Sequence, residues 1–190
     1  MTQKNIALKE GTFVCLVGPS GAGKDTLIRL ARERLGEQPG FLFPRRLVTR
    51  PPSSFEDHAI LSEEDFERGV RDNLFALHWR AHGLGYAIDR SVLAAIAEGA
   101  AVTCNISRDS IAAAQQTFAR VKVVLVTATD AVIAARLAAR AREDSADIDA
   151  RLTRNAECSA RFVPDFTILN AGSRVEAAEE LVDFLLELRS

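Results

Sequence analysis

A phosphate-binding loop is predicted near the amino end of the chain, where residues 18–27 read GPSGAGKDTL. Up to its lysine, the sequence follows the pattern G-x-x-x-x-G-K-[ST], in which backbone N–H groups surround phosphate oxygens and the lysine reaches the β- and γ-phosphates of a nucleotide. An apolar run precedes the loop and a helical pattern follows it, which is the context that such a loop needs. The predicted nucleotide-binding residues are Gly18, Pro19, Ser20, Gly21, Ala22, Gly23, Lys24, Asp25 and Thr26.

Asp25 departs from this pattern, since a Ser or Thr hydroxyl at its position normally binds Mg²⁺. A carboxylate is itself a good magnesium ligand. Asp25 is therefore a candidate metal ligand, directly or through a water molecule, while the neighbouring Thr26 offers a hydroxyl to a phosphate. Alternatively, Asp25 points away and the site holds magnesium less firmly. Because a carboxylate beside a triphosphate is repulsive unless a metal lies between them, we expect Mg²⁺ to be essential.

Two groups of arginines are candidates for binding further phosphates, because a guanidinium group binds phosphate through two parallel hydrogen bonds. The first group lies in FPRRLVTRPP, with Thr49 between its members, and predicts a site for an acceptor phosphate. It consists of Arg45, Arg46 and Arg50. The second group flanks the polar break EDSAD and is typical of a mobile lid, although a solvated helix face would also carry such residues. It consists of Arg136, Arg140, Arg142, Arg151 and Arg154.

The elements that must position these residues follow from the apolar pattern, which alternates between strand and helix periods. Runs of strand length lie at 12–18, 101–106, 121–128 and 166–172. Helical patterns cover residues 24–36, 90–99, 108–120, 130–143, a segment near 147–160, and the carboxyl end. This alternation predicts an α/β fold with a central parallel sheet and helices on both faces.

The middle of the chain has a different pattern, with strands and turns on either side of the short helical segment SEEDFERGV. Ser62 begins a capping box there. We therefore expect a small, partly separate insert between about residues 41 and 90, and a helical lid at about 136–154. Both belong to a single domain that spans residues 1–190.

Composition excludes several other classes of protein. The 190 residues have a formal net charge of -2, without the basic excess that is typical of nucleic-acid binding. The amino end has only a short apolar run, which argues against a signal peptide or a membrane span and favours a cytoplasmic location. Cys15, Cys104 and Cys158 are widely spaced and are expected to be buried thiols. The three histidines have no metal-binding spacing, and the oligomeric state is left open.

Five stretches together carry a resemblance to a known family: GPSGAGKD, VTRPP, WRAHGLGYAI, NISRDS and RLAARAREDSADIDARLTRN. They resemble the guanylate-kinase-like branch of the nucleoside monophosphate kinases and, within it, the ribose 1,5-bisphosphate phosphokinases. The resemblance covers about residues 12–170. It implies a three-layer P-loop kinase fold and small-molecule substrates, with ATP as co-substrate and Mg²⁺ as its metal. The implied reaction converts ribose 1,5-bisphosphate and ATP into 5-phosphoribosyl 1-pyrophosphate and ADP, in phosphonate breakdown.

Departures from true guanylate kinases decide between members of this branch. As we align the sequences, Leu77 replaces a Glu that reads the guanine edge, and Ile88 replaces a base-contacting hydroxyl. Asn105 and Ser107 replace two aspartates at a strand end. Each guanine N–H left without a partner costs about 1–3 kcal/mol, so a substrate without a base fits better. A guanylate or other nucleoside monophosphate kinase stays an alternative. A non-catalytic guanylate-kinase-like module does too, although such modules commonly lack the loop lysine.

The resemblance also implies roles for single residues. The candidate catalytic residues are Lys24, Arg136, Arg140 and Arg142. The candidate substrate-binding residues are Arg46, Thr49, Arg50, Tyr86 and Arg108, the last at a strand's carboxyl end, where open α/β sheets bind ligands. The acceptor phosphate is already an anion, so we expect positioning and charge stabilisation, rather than a strong general base, to provide the catalysis.

Overall fold

Residues 10–51, 58–139 and 162–189 are described by the computed structural model. Arg136 of the predicted lid lies within these ranges. The predicted helix near residues 147–160 lies outside them, as do Cys158 and the other four arginines assigned to the lid. Those arginines are Arg140, Arg142, Arg151 and Arg154.

The described residues form nine strands and six helices. The strands are β1 (Thr12–Val17), β2 (Phe41–Leu42), β3 (Arg46–Val48), β4 (His58–Ile60), β5 (Phe75–Ala81), β6 (Leu84–Asp89), β7 (Ala101–Asn105), β8 (Val121–Thr127) and β9 (Phe166–Leu169). The helices are α1 (Lys24–Leu35), α2 (Glu63–Arg71), α3 (Val92–Ala97), α4 (Ile111–Thr117), α5 (Asp130–Ala139) and α6 (Arg174–Glu187).

Five strands form a parallel sheet in the order β2-β7-β1-β8-β9. Side chains of the central strand alternate between two apolar clusters: Phe13, Cys15 and Val17 belong to one, Val14 and Leu16 to the other. Helices α3 and α4 pack into the first cluster, whereas α1 and α6 pack into the second. The predicted α/β fold, with a central parallel sheet between helical layers, is confirmed.

A second sheet, in the order β4-β3-β6-β5, is formed by the middle of the chain together with α2. Ser62 caps α2, because its hydroxyl accepts a hydrogen bond from the backbone N–H of Asp65 at 3.0 Å. The predicted insert begins at about residue 41, whereas the second sheet begins a few residues later. Phe41 and Leu42 pair with β7 of the central sheet, so the small sheet begins at Arg46.

The predicted helix at residues 108–120 is shorter in the structure. Its first turn is a 3₁₀ turn over Arg108–Ser110, and α4 ends at Thr117. Phe118 then has extended backbone angles and stacks on Phe13, with the two ring centres 4.1 Å apart. Burying this ring against the central strand takes the chain out of the helix before residue 120.

Cys15 and Cys104 lie in register on the neighbouring strands β1 and β7. Both are free and buried, as the sequence predicts. Burial raises the pKa of both thiols, to about 12 for Cys104, since a charged thiolate is unfavourable in the core. None of the described helices is long and apolar enough to cross a membrane.

Candidate active site

The phosphate loop connects the end of β1 to the start of α1, and its glycines have a steric explanation. Gly18 has a φ of 147°, and a Cβ there would lie 2.0 Å from the carbonyl oxygen of Val126 on β8. Gly23 has a φ of 95°, and a Cβ there would lie 2.4 Å from Nδ2 of Asn170. Gly23 caps α1 without a side-chain hydrogen bond, so the first N–H groups of the helix are available to an anion.

Lys24 begins α1 and folds back over the loop. Its Nζ donates hydrogen bonds to the carbonyl oxygens of Gly18 at 2.8 Å and Pro19 at 2.9 Å. The ammonium group is therefore held within the loop itself, where a nucleotide's phosphates would bind.

Arg136 of α5 contacts the same loop at different carbonyl groups from those that Lys24 contacts. Its Nη1 donates to the carbonyl oxygens of Gly21 at 3.3 Å and Ala22 at 3.2 Å. Two of the candidate catalytic residues, Lys24 and Arg136, are thus brought together at the phosphate loop, which concentrates positive charge there.

Asn170, which sequence reasoning missed, also holds the loop. It directly follows β9 and is 1% exposed. Its Nδ2 donates to the carbonyl oxygen of Ala22 at 2.7 Å, and its backbone N–H donates to Thr127. Its position in the sequence could have identified it, because ligands bind at the carboxyl ends of the strands in such sheets and Asn170 is a polar residue near the end of the predicted strand at 166–172.

Asp25 joins the loop to two other elements. Its Oδ1 accepts a hydrogen bond from Nδ2 of Asn105, at the end of β7, at 2.6 Å. The same oxygen accepts one from Nη2 of Arg46, on β3, at 3.2 Å. The Arg46 side chain is only 12% exposed. A residue of the small sheet therefore lies within hydrogen-bonding distance of the phosphate loop.

Arg46 also lies over an aromatic pair of the small sheet. Its Cζ is 5.9 Å from the centre of the Tyr86 ring, within the range of cation–π attraction. Tyr86 in turn stacks on Trp79, with ring centres 5.4 Å apart and planes 5° from parallel. The predicted substrate residues Arg46 and Tyr86 are thus neighbours in the structure.

Thr49 and Arg45 have contacts within the small sheet. The Thr49 hydroxyl accepts a hydrogen bond from the Gly85 backbone N–H at 2.8 Å. It also bonds to Glu63, whose pKa is lowered mainly by its hydrogen bond with Arg80 and also by Thr49. Arg45 donates to the backbone carbonyl of His58 on β4 at 3.0 Å. The structure thus gives Thr49 and Arg45 roles in holding the sheet, and substrate contact by Thr49 stays a prediction.

Arg50 and Arg108 lie on two different connections. Arg50 is half-buried, two residues beyond β3. Arg108 begins the 3₁₀ turn that follows β7 and lines a groove of about 370 Å³ together with Phe162 and the start of α4. Arg108 therefore stands at the carboxyl edge of the central sheet, as its position in the sequence predicts.

Relatives of known name match almost the whole chain. A protein of Methylobacterium radiotolerans named ribose 1,5-bisphosphate phosphokinase PhnN is 50% identical over 175 residues, 92% of this chain and 97% of that protein. Proteins of the same name from Bradyrhizobium diazoefficiens and Acidiphilium cryptum are 46% and 44% identical, over 93% and 95% of this chain and 88% and 96% of theirs. The chain belongs to the ribose 1,5-bisphosphate phosphokinase family. The resemblance carried by the motifs is confirmed. A scan against protein-family models gives no match.

This phosphokinase family shares its fold with guanylate kinases. The solved structure of guanylate kinase from Anaplasma phagocytophilum is similar to the chain with a TM-score of 0.67, over 94% of this chain and 86% of that one. The two sequences are 15% identical, so the likeness concerns the fold alone. The predicted P-loop kinase fold is confirmed.

The two positions that we align with base-reading residues of guanylate kinases are apolar and buried in this member of the phosphokinase family. Leu77 and Ile88 face each other across β5 and β6, and they are 3% and 0% exposed. Both belong to the apolar cluster that includes Val92 and Ile111. This part of the small sheet offers no polar side chain at positions 77 and 88 for reading a base.

Proposed function

We propose that the chain transfers the γ-phosphoryl group of ATP to the 1-phosphate of ribose 1,5-bisphosphate. The products are 5-phosphoribosyl 1-pyrophosphate and ADP. The observation that supports this proposal is the contact between Arg46 and Asp25, which brings a guanidinium of the small sheet to the phosphate loop. The names of the relatives supply the substrate. We also propose that the chain acts in the cytoplasm, where ATP is available, and that its reaction belongs to phosphonate breakdown.

ATP would lie on residues 18–26, with its phosphates against the backbone N–H groups of the loop. Lys24 would contact the β- and γ-phosphates and Thr26 a more distant phosphate oxygen. Arg136, fixed on the carbonyls of residues 21 and 22, would add positive charge on the opposite rim. In this arrangement the protein stabilises the charge that shifts towards the leaving ADP.

The residues around Asp25 fit a magnesium ion, which takes oxygen ligands. Oδ1 of Asn105 is buried and accepts no hydrogen bond from the described residues. Oδ2 of Asp25 takes no part in the bonds to Asn105 and Arg46. Asp25 and Asn105 would therefore hold the ion, directly or through water. When bound, Mg²⁺ supplies charge neutralisation between the transferring phosphates.

The acceptor would be gripped by Arg46 and Arg50 through its phosphates, with Arg108 as a further ligand and Tyr86 beside the sugar. An oxygen of the 1-phosphate attacks the γ-phosphorus, the bond from that phosphorus to the β,γ-bridging oxygen breaks, and ADP leaves with the electron pair. Since the attacking oxygen is already anionic, no general base has to remove a proton. Arg140 and Arg142 would close over the transferring group and exclude water.

The direct test is the identity of the product, measured by phosphorus NMR after incubation with ATP, Mg²⁺ and ribose 1,5-bisphosphate. We expect two mutually coupled resonances from a new pyrophosphate group and an unchanged 5-phosphate signal. Ribose 5-phosphate, which lacks the acceptor phosphate, is the matched control substrate and should receive nothing. The Lys24→Ala variant is the matched control protein. Release of inorganic phosphate together with ADP, without 5-phosphoribosyl 1-pyrophosphate, would contradict the proposed reaction.

A further inference from the structure

Asp25 and Asn105 are two departures from the usual arrangement of a P-loop kinase, and the structure places them in direct contact. In P-loop enzymes generally, a hydroxyl of the loop and an aspartate of a neighbouring strand hold Mg²⁺. Here the loop carries the carboxylate and the strand end carries an amide, joined at 2.6 Å. Arg46 is the third member, 3.2 Å from the same carboxylate oxygen.

The two departures depend on each other for an electrostatic reason. Asn105 is 3% exposed, so its side chain is buried against Asp25. An aspartate at position 105 would place two carboxylates within hydrogen-bonding distance, and their negative charges would repel each other. The amide instead donates a hydrogen bond to the Asp25 carboxylate at 2.6 Å. Once the loop carries Asp25, the strand end therefore requires a neutral donor.

Arg46 is the group on which this pair acts. Its guanidinium is contacted by the Asp25 carboxylate and by the face of the Tyr86 ring. A serine at position 25 has no negative charge and a shorter side chain, so it would not make the ion pair with Arg46. Holding a phosphate-binding guanidinium in place before the ligand arrives reduces the ordering cost of binding.

We propose that Asp25 is a positioning residue that orients Arg46 towards the acceptor phosphate, and that Asn105 braces it. The proposal rests on the proposed function for the identity of the acceptor. The carboxylate of Asp25, which stands where such loops usually carry a hydroxyl, thus has a role on the acceptor side of the site. Asp25 then acts through Arg46 whether or not it also contacts a metal.

The test is a double-mutant cycle on acceptor binding, carried out without ATP and with EDTA. Ribose 1,5-bisphosphate is titrated into the parent protein, Asp25→Asn, Arg46→Met and the double variant, and binding is followed by calorimetry. The single tryptophan, Trp79, gives a second readout, because it stacks on the ring beneath Arg46. Asp183→Asn, at an exposed position of α6, is the matched control and should bind like the parent.

We expect Asp25→Asn to raise the dissociation constant on the order of tenfold, because a hydrogen bond between charged groups is lost. In the Arg46→Met background the same substitution should have no further effect. A role confined to Mg²⁺ predicts parent-like binding of Asp25→Asn in EDTA, and that result would overturn the proposal. An undiminished effect of Asp25→Asn in the Arg46→Met background would also overturn it.

A second cycle, on urea unfolding of the same four proteins, does not depend on which acceptor is used. We expect the two substitutions to be non-additive, since each removes the same ion pair. Failure of the parent protein to turn over ribose 1,5-bisphosphate would reject the proposed function. Additive effects of Asp25→Asn and Arg46→Met on the free energy of unfolding would instead reject the coupling between these two residues. Asn105→Asp should be less stable than the swap Asp25→Asn with Asn105→Asp, and the reverse order would reject the bracing role of Asn105.

Discussion

Two guanidinium groups of the small sheet region, Arg46 and Arg50, carry the proposed contacts to the acceptor, and their surroundings differ. Arg46 is held by Asp25 and lies over Tyr86. Arg50 is half-buried, two residues beyond the end of β3. Because substitutions away from the core usually have small effects on stability, Arg50 is the residue at which function and folding can best be separated.

Arg50→Ala should lower kcat/KM for ribose 1,5-bisphosphate on the order of tenfold or more, because a charged phosphate ligand is lost. The KM for ATP should change little, since the donor loop is untouched. Initial rates of ADP formation measure both constants, and urea unfolding checks that the fold is kept. Arg71→Ala, at an exposed position of α2, is the control. Parent-like kinetics of Arg50→Ala would remove this residue from the site.

Cys15 and Cys104 should resist alkylation in the folded protein. With the pKa of Cys104 raised to about 12 by burial, about one thiol in 10⁴ is ionised near pH 8. The fraction of ionised thiol grows as the pH rises towards the pKa, so the rate of alkylation should increase at alkaline pH. Peptide mass analysis after iodoacetamide treatment, with and without urea, measures it. Rapid labelling of Cys104 without urea would contradict the buried arrangement of β1 and β7.

Among single residues, those with a charge and a motif could be predicted from the sequence, whereas the contacts between them could not. Lys24 follows from the loop pattern, and Arg46 from its cluster. The contact of Asp25 with Asn105 spans 80 positions in the chain. It depends on β1 and β7 being neighbours in the sheet, which no local pattern specifies. The sequence therefore indicated only that Asn105 replaces an aspartate, and it did not predict the contact of Asn105 with Asp25.

At the level of elements, the phosphate loop is held between the start of α1 and the end of β9. Asn170 bonds to the carbonyl of Ala22 and approaches Gly23 so closely that a Cβ would collide with it. The loop therefore depends on a residue that follows it by nearly the whole length of the domain. This explains why nucleotide affinity should respond to a substitution in the last strand region.

Asn170→Ala should raise the KM for ATP several-fold and lower the free energy of unfolding by about 1–3 kcal/mol, because the Ala22 carbonyl loses its shorter, buried hydrogen bond and keeps only the one from Arg136. ADP formation at varied ATP concentration and urea unfolding measure these two effects. Thr167→Ala, at an exposed position of β9, is the control and should leave both unchanged. An unchanged KM for ATP in Asn170→Ala would mean that the loop keeps its shape without this contact.

The order of strands and helices could be predicted because apolar runs of strand length alternate with helical periods. Two element boundaries could not. Phe41 and Leu42 form only a two-residue strand, and their partner β7 lies some sixty positions later. Residues 118–120 have a helical pattern, yet Phe118 leaves the helix to stack on Phe13. In both cases a distant contact decides a local conformation.

Across the whole molecule, the small sheet packs its apolar face into the same cluster as the central sheet. Leu77 and Ile88 share that cluster with Phe13 and Val102. The positions that we align with base-contacting residues of guanylate kinases therefore contribute to the core here. We therefore expect substitutions at these residues to affect domain stability as well as acceptor choice.

Leu77→Glu should destabilise the protein by several kcal/mol without creating guanylate kinase activity, because it buries a carboxyl group in an apolar cluster. Burial would raise the folded-state pKa of that carboxyl group above its unfolded value. The destabilisation should therefore be smallest at low pH, should grow as the pH rises from the unfolded-state pKa to the folded-state pKa, and should level off above it. Urea unfolding across pH measures this, and GMP-dependent ADP release from a stable Leu77→Glu variant would contradict the expected outcome.

The most direct test of the account is ADP formation from ATP and Mg²⁺, measured in parallel with ribose 1,5-bisphosphate and with GMP as acceptor. The proposed phosphate-binding arginines and the apolar positions 77 and 88 predict turnover with the sugar bisphosphate and a rate lower by orders of magnitude with GMP. Turnover with GMP and none with ribose 1,5-bisphosphate would show that the protein phosphorylates a nucleotide and not the sugar bisphosphate.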